Sequence, residues 1–278
     1  MEEFSVSERR ACLVVGQPRA TQRRQLAEPE NFEKRLCARI LELKRIEEMA
    51  RWGYKKITRA LRREGWKVNK KRIHKLWKKL GLQVPREQKK RRRGQGSGAK
   101  NACDVLVPLR PNHVWSYDFK HDVTEAGDQL KFLVVMDEFT RRCFALEVRK
   151  SFKAKDVIKV LGSLFKQHGT PEYIRSDNGP EFVAKEVSDF LALLPTSSAF
   201  IEPGSPWQNG YCESLNSQIS SELTNRTLFR SLVEAKALAE DYRVFYNSGR
   251  LHGALDFATP DEYYEAWRQR QVMEKSLT

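Results

Sequence analysis

Between positions 114 and 119 the chain reads Val-Trp-Ser-Tyr-Asp-Phe, and that alternation limits the folds open to it. Successive side chains of a strand point to opposite faces, so Trp115, Tyr117 and Phe119 share one face and Asp118 takes the other. Two further segments, QLKFLVVMDEF and RRCFALEVRK, read as strands that form a meander with the first. Asp118 then lies in the middle of a sheet, a costly place for a charge unless something pairs with it. A metal ion would serve.

Two more acids stand in unusual settings. Asp177 follows the short run Tyr173-Ile174 and directly precedes Asn178-Gly179-Pro180, which reads as a buried strand breaking into a turn. Glu213 comes after a Gly/Pro cluster (Pro203 to Pro206), in the first turns of a helix whose core stripe is Leu215, Ile219 and Leu223. Two residues before Leu215, it points away from the core. With 35 residues between them, a strand-end acid and an early-helix acid can still converge in space. A few converging carboxylates suit Mg²⁺, which takes hard oxygen ligands and leaves positions for water and phosphate. Taken singly, each acid has a plainer reading. Asp177 could be a turn former, Glu213 could favour a helix amino terminus, and Asp118 could be an edge-strand acid. Asp137 competes as a strand acid, but is expected to start a hairpin and pair with Arg141 or Arg142. Asn178, Glu181, Gln208 and Asn209 flank the acids and are candidates to orient them or a bound strand.

From residue 111 the expected order is three strands, a helix (about 152–167), a strand (172–176), a helix (about 181–193), a strand (197–202) and helices over 208–224 and 232–247. A meander followed by alternating helix and strand gives a mixed α/β sheet flanked by helices. The preceding third differs. Leu36, Ile40, Leu43 and Ile46 make one helical stripe, and Ile57 and Leu61 continue on a second helix that ends at Gly65. Asn69 is a good N-cap for a third, where Ile73, Leu76, Trp77 and Leu80 fall at i, i+3, i+4, i+7 and Gly81 stops the helix. Two short helices around a Gly-containing turn make a plausible helix-turn-helix. On the second, Lys70, Lys71, Arg72, Lys75, Lys78 and Lys79 leave the apolar stripe uninterrupted and form a face for phosphates, with the amino-terminal end suited to a major groove.

Charge divides along the same line. Residues 1–100 hold 30 basic and 11 acidic side chains, net +19, whereas residues 101–278 are net −4. A basic module joined to a mildly acidic one points to a polyanion, above all nucleic acid. Lys55 and Lys56, and Arg91, Arg92 and Arg93 in the run REQKKRRRGQGSGAKN, complete the candidate DNA-binding set. The expected organisation is a basic, partly ordered segment (1–33), a helix-turn-helix domain (34–86), a basic Gly/Ser linker (87–108), a catalytic core (109–228) and a helical extension (229–278). No stretch of 18 apolar residues occurs, so no membrane span is expected. The five scattered cysteines form no C-x-x-C pair and read as free thiols of a reducing cytosol.

Asp118, Asp177 and Glu213 resemble the DDE triad of the retroviral-integrase superfamily, and the stretches around them resemble the second-frame transposase of the IS3 insertion-sequence family. The matching stretches are NHVWSYDF, DEFTRRC, IRSDNGPEF, IEPGSPWQNGYCESLNS and YNSGRLHGALDFATPDEY, in order. The resemblance implies an RNase H-like core preceded by a small all-α helix-turn-helix domain. It also implies metal-dependent hydrolysis and 3′-OH strand transfer at insertion-sequence ends, with two Mg²⁺ or Mn²⁺ ions held by the three acids and Asp118 bridging. The partners implied are double-stranded DNA (element ends and target), an upstream-frame product or fusion, and further copies of the chain on DNA, in a bacterial cytoplasm at the nucleoid. Two departures stand out. Gln218 and Ser220 occupy positions where the family usually carries basic residues. Around Tyr246, Asn247, Arg250 and His252, Leu251 replaces the usual proline and Asp256 a glycine. The alternative reading is a catalytically impaired relic or a regulatory DNA-binding protein. If the basic module meets phosphates, raising salt from about 50 to 200 mM should weaken DNA binding steeply, by orders of magnitude for several contacts. A flat response in a binding titration would remove the polyanion argument.

Overall fold

The computed structural model describes residues 6–23, 29–83, 106–176, 185–194, 196–200 and 210–276, of which 29–31, 185 and 197–200 are described for the backbone only. Five strands form one sheet in the order β3-β2-β1-β4-β5: β1 (Val114–Val123), β2 (Gln129–Asp137), β3 (Cys143–Arg149), β4 (Tyr173–Ser176) and β5 (Ser197–Phe200). β1, β2 and β3 are the antiparallel meander, and β4 and β5 extend it in parallel. β1 is therefore the central strand. Asp118, opposite Val134 of β2, is not an edge-strand acid.

Ten helices surround or precede the sheet in the described residues: α1 (Glu8–Val15), α2 (Arg19–Gln22), α3 (Pro29–Arg45), α4 (Tyr54–Arg63), α5 (Lys70–Lys79), α6 (Ala154–His168), α7 (Lys185–Ala192), α8 (Gly210–Ile219), α9 (Leu232–Ser248) and α10 (Pro260–Ser276). The alternation of β1 divides two cores. Trp115 and Tyr117 join Leu133 and Val135 under α6 and α7. On the other face Phe132, Val134 and Met136 meet Leu215 and Ile219 of α8 and Tyr242 and Tyr246 of α9.

The helix expected over 208–224 is not uniform. α8 stops at Ile219 and residues Ser220–Thr224 form a π-helical turn, closed by Asn225 N donating to Ser220 O at 2.8 Å. Leu215, Ile219 and Leu223 are all buried. A spacing of four drifts off the stripe of an ideal α-helix, and the wider turn restores the alignment. The turn also brings Glu222 inside.

α3, α4 and α5 share a third core built on Leu36, Ile40, Ile57, Leu61, Ile73 and Trp77. Asn69 caps α5, its side chain accepting from Lys71 N at 2.9 Å. Gly81 follows α5 with φ +66, a left-handed conformation that favours glycine. Leu251, which stands where the sequence pattern expects proline, is 2% exposed and packs into this helical core with Phe245 and Phe257 beside it. The helical domain is thus docked on the sheet domain by side chains from the far end of the sequence. Arg63 grips the Glu262 carboxylate (2.7 and 3.0 Å) and the Phe257 carbonyl (3.0 Å).

Glu222 is the polar centre of this junction. Arg250 donates to both of its oxygens at 2.7 and 2.8 Å, Tyr242 Oη donates at 3.1 Å, and Lys56 Nζ of α4 lies 3.9 Å away. Burial raises the Glu222 carboxyl, but the Arg250 guanidinium and Lys56 outweigh it and hold the group below the usual carboxylate range. Glu222→Gln would leave Arg250 buried without its counter-charge. It should destabilise the protein by about 3–5 kcal/mol, read as a lowered urea midpoint.

Candidate active site and nucleic-acid interface

Asp118 is half-buried on the α8 side of β1. Its Oδ1 accepts from the Phe119 amide at 2.8 Å, and its Oδ2 accepts from Asn216 Nδ2 of α8 at 2.7 Å. Asn216 is three residues past Glu213, and residues so spaced share a flank of a helix. The Asn216 contact therefore docks the Glu213 flank of α8 on the strand carboxylate. Glu213 is exposed, as its offset from Leu215 predicts. β4 runs parallel to β1 with Arg175 level with Ser116. Two residues further along each strand's sequence are Asp177 and Asp118.

Asp177, Asn178, Glu181, Gln208 and Asn209 lie outside the described residues, as do Arg91, Arg92 and Arg93. Among the described residues no three His, Cys, Asp or Glu side chains lie together as a metal-ligand set. Asn216 was not singled out by the sequence, although its place one turn after Glu213 was the available signal. Its Oδ1 is buried without a hydrogen-bond partner. Asn216 thus brings an amide oxygen to the Asp118 carboxylate, with Glu213 on the same flank of α8, all hard donors of the kind Mg²⁺ takes.

Asp137 departs from expectation. It starts the β2–β3 turn, but no arginine among the described residues meets its carboxylate. It accepts from Thr140 N (2.6 Å), Thr140 Oγ1 (2.8 Å) and Asn112 N (2.7 Å). Burial raises the carboxyl against these bonds. Its side chain is spent on shaping the turn. Arg142 pairs instead with Asp261 at 2.9 Å, and the Arg141 guanidinium lies 3.8 Å over the Tyr211 ring. The next residue, Glu138, is fully buried against Arg175 at 3.0 Å. Burial pushes the Glu138 carboxyl up to about 7 although Arg175 draws it down. This pair fixes the end of β4 two residues before Asp177.

On the helical domain, Lys70, Lys71, Arg72, Lys75, Lys78, Lys79 and Lys55 are exposed. Arg72 and Lys79 share Glu33 at 3.9 and 3.5 Å. Lys56 turns the other way, 5.4 Å over the Trp52 ring and toward Glu222. Burial, with Arg250 nearby, depresses its ammonium to about 8. The carboxy-terminal cluster is structural in its visible contacts. Asn247 exchanges bonds of 2.8 Å with the Cys143 backbone, and His252 Nε2 meets Tyr246 Oη at 2.8 Å.

Fold and site together define an RNase H-like core of the integrase type. Three strands in a meander, two more in parallel and helices on both faces carry an acid on the central strand beside an acidic helix. The family profile "Integrase core domain" matches residues 108–206, a second of that description matches 196–260, and "HTH-like domain" matches 32–90. A 31.7 kDa protein of insertion element IS407 from Burkholderia multivorans is 34% identical over 94% of this chain and 92% of the relative. A 39.2 kDa protein of element IS476 from Xanthomonas euvesicatoria is 32% identical over 98% of this chain and 76% of the relative. The catalytic core domain of HTLV-2 integrase, solved in complex with magnesium, is 19% identical with a TM-score of 0.47, covering 57% of this chain and 99% of that one. The chain belongs to the IS3 family of insertion-sequence transposases, with a DDE integrase-like core and a helix-turn-helix-like domain, and is a DNA transposase of the polynucleotidyl transferase superfamily. No helix among the described residues is long and apolar enough to cross a membrane.

Burial holds the His252 imidazole down at about 3, and Arg250, Lys56 and Arg141 oppose its protonation further. The unfolded imidazole takes up a proton near its ordinary value of 6.5. Between these values the unfolded state binds more protons, so this contribution is present above 6.5 and lost as pH falls toward 3. Urea unfolding at a series of pH values should show His252→Gln with a flatter acid limb, by up to about 1.4 kcal/mol per pH unit.

Proposed function

We propose that this chain cuts and joins DNA at the ends of its element through Asp118, Asp177 and Glu213. The observation that carries the assignment is the Asn216–Asp118 hydrogen bond of 2.7 Å, which ties the Glu213 helix to the central-strand acid beside the strand that leads into Asp177. Water attacks a phosphodiester, the P–O3′ bond breaks, and a free 3′-OH and a 5′-phosphate result. That 3′-OH then attacks a second phosphodiester and displaces its 3′-oxygen, so one bond forms as one breaks and no ATP is consumed. Asp118, Asp177 and Glu213 would hold two Mg²⁺ or Mn²⁺ ions, whose charge would stabilise the attacking and leaving oxygens. The chain's own part is to set the oxygens. β1 and the Asn216 amide orient Asp118, the Glu138–Arg175 pair anchors the approach to Asp177, and α8 presents Glu213. Asn178, Glu181, Gln208 and Asn209 orient these acids or the strand. The exposed cations of α5 with Lys55, and the run Arg91 to Arg93, hold duplex phosphates. The enzyme works as several copies on DNA, joined to or fused with an upstream-frame product, beside the bacterial nucleoid.

A duplex bearing the element's own end, incubated with Mg²⁺ and the chain alone or fused to the upstream product, tests this reading. Joined strands support it, hydrolysis alone indicates a nuclease, and binding without reaction indicates the impaired or regulatory alternative. Asp118→Asn and Asp177→Asn should each lower the rate by roughly a thousandfold or more, because metal charge stabilisation is worth several kcal/mol at about 1.4 kcal/mol per decade. Both should keep duplex affinity. Full activity in either variant would remove the site.

A further inference from the structure

An open cavity of about 570 Å³ lies on the flank of α8 away from Asp118, bordered by α8, the β2–β3 turn, the segment after α9, and α4. Lys56, Arg141 and Arg250 line it, and no acidic side chain is among its described lining. The three cations converge closely enough that each opposes protonation of His252. Arg250 is engaged by Glu222. Arg141 has no such two-bond clasp: its guanidinium lies over the Tyr211 ring and its charge reaches the buried Glu138, but its Nε is buried without a hydrogen-bond partner, and its backbone holds φ +63, in the left-handed region. Gln218 Oε1 is likewise buried and unpartnered, while its Nε2 donates to Ser214 Oγ at 3.3 Å. Both atoms are closed to solvent on residues that line the cavity, and a buried polar group left without a partner costs about 1–3 kcal/mol, so a ligand toward which the two side chains turn would relieve that cost. The remaining wall includes the rings of Tyr211 and Tyr246. Cations, aromatic faces and an amide oxygen together suit a phosphate that carries a flat hydrogen-bonding ring, and the volume suits a nucleotide better than a bare anion.

We propose that this cavity holds one unpaired nucleotide of the DNA strand, its phosphate on Arg141 and Lys56 and its base against Tyr211 with an edge toward Gln218. The assignment rests on the DNA-processing reading above and deepens it. Tyr211, Ser214 and Gln218 form one stripe of α8, and Glu213 and Asn216 form the next, so roughly one helix diameter of about 10 Å separates the cavity from Asp118. The nucleotide held there is a neighbour of the reacting one, and Arg141 and Gln218 are positioning residues. A second groove, of about 750 Å³, shares Lys56 and Gly253 with the cavity and continues along Arg59 and Arg62 to Lys70 at the start of α5. It gives the strand a cationic route to the helix-turn-helix.

The test is fluorescence anisotropy of the full chain in EDTA, where no chemistry runs, with a blunt duplex and the same duplex bearing a three-nucleotide overhang. The wild type should prefer the overhang. Arg141→Gln should weaken overhang binding about tenfold, equal to about 1.4 kcal/mol, and Gln218→Ala about threefold, with blunt-duplex affinity held within twofold. A 2-aminopurine in the overhang should be quenched by the wild type and released in Tyr211→Ala. Equal affinity for the two DNAs, or an overhang preference that survives both Arg141→Gln and Gln218→Ala, overturns the proposal. Free deoxyadenylate competing as well as the overhang strand overturns it in favour of a free nucleotide. A chain that shows the preference yet never cleaves supports this cavity while defeating the catalytic reading.

Discussion

A carboxylate on the central strand of a sheet must be met by something other than bulk water, and here the first group to meet Asp118 is an amide from α8. That single contact fixes the placement of α8 against β1. Leu215 and Ile219 on the same helix then seal the core behind it, so the polar contact and the apolar packing specify one position. The cost of a lone buried charge is avoided by bringing polar groups to it, and the gathering of polar groups at one point on the sheet is also what phosphodiester chemistry requires.

Much of this was readable from residue patterns. The alternation in VWSYDF, the two following apolar runs and the later alternation of helix and strand gave the sheet and its central strand. Asn69, Gly81 and the stripe of Ile73, Leu76 and Trp77 gave α5 and its cap. Local rules suffice there because each signal is local. What stayed hidden was long-range. The partner of Asp118 is 98 residues away in sequence, and Asp137 finds a backbone amide of Asn112 rather than the arginines beside it. The π-helical turn was not legible either, because the spacing of four in Leu215, Ile219 and Leu223 also reads as the stripe of one continuous helix. Nor was the charge that the turn buries on Glu222, because only tertiary structure places Arg250 opposite.

The departures from the family pattern read differently once they are placed. Leu251, where proline is usual, buries its side chain among α3, α4 and α5, and so contributes packing that a proline ring would not reproduce. Gln218, where a cation is usual, faces a cavity already supplied with cations by three other elements. Positive charge near α8 comes here from α4, the β2–β3 turn and the segment after α9.

The burial of Leu251 ties the helical domain to a segment far downstream of it in the sequence. Domains made early commonly fold while the rest is still being made. This one lacks part of its apolar interior until the ribosome has passed position 251. The helical module is therefore completed by a residue far downstream of it, and a polypeptide released before that point would carry α5 on an unfinished support.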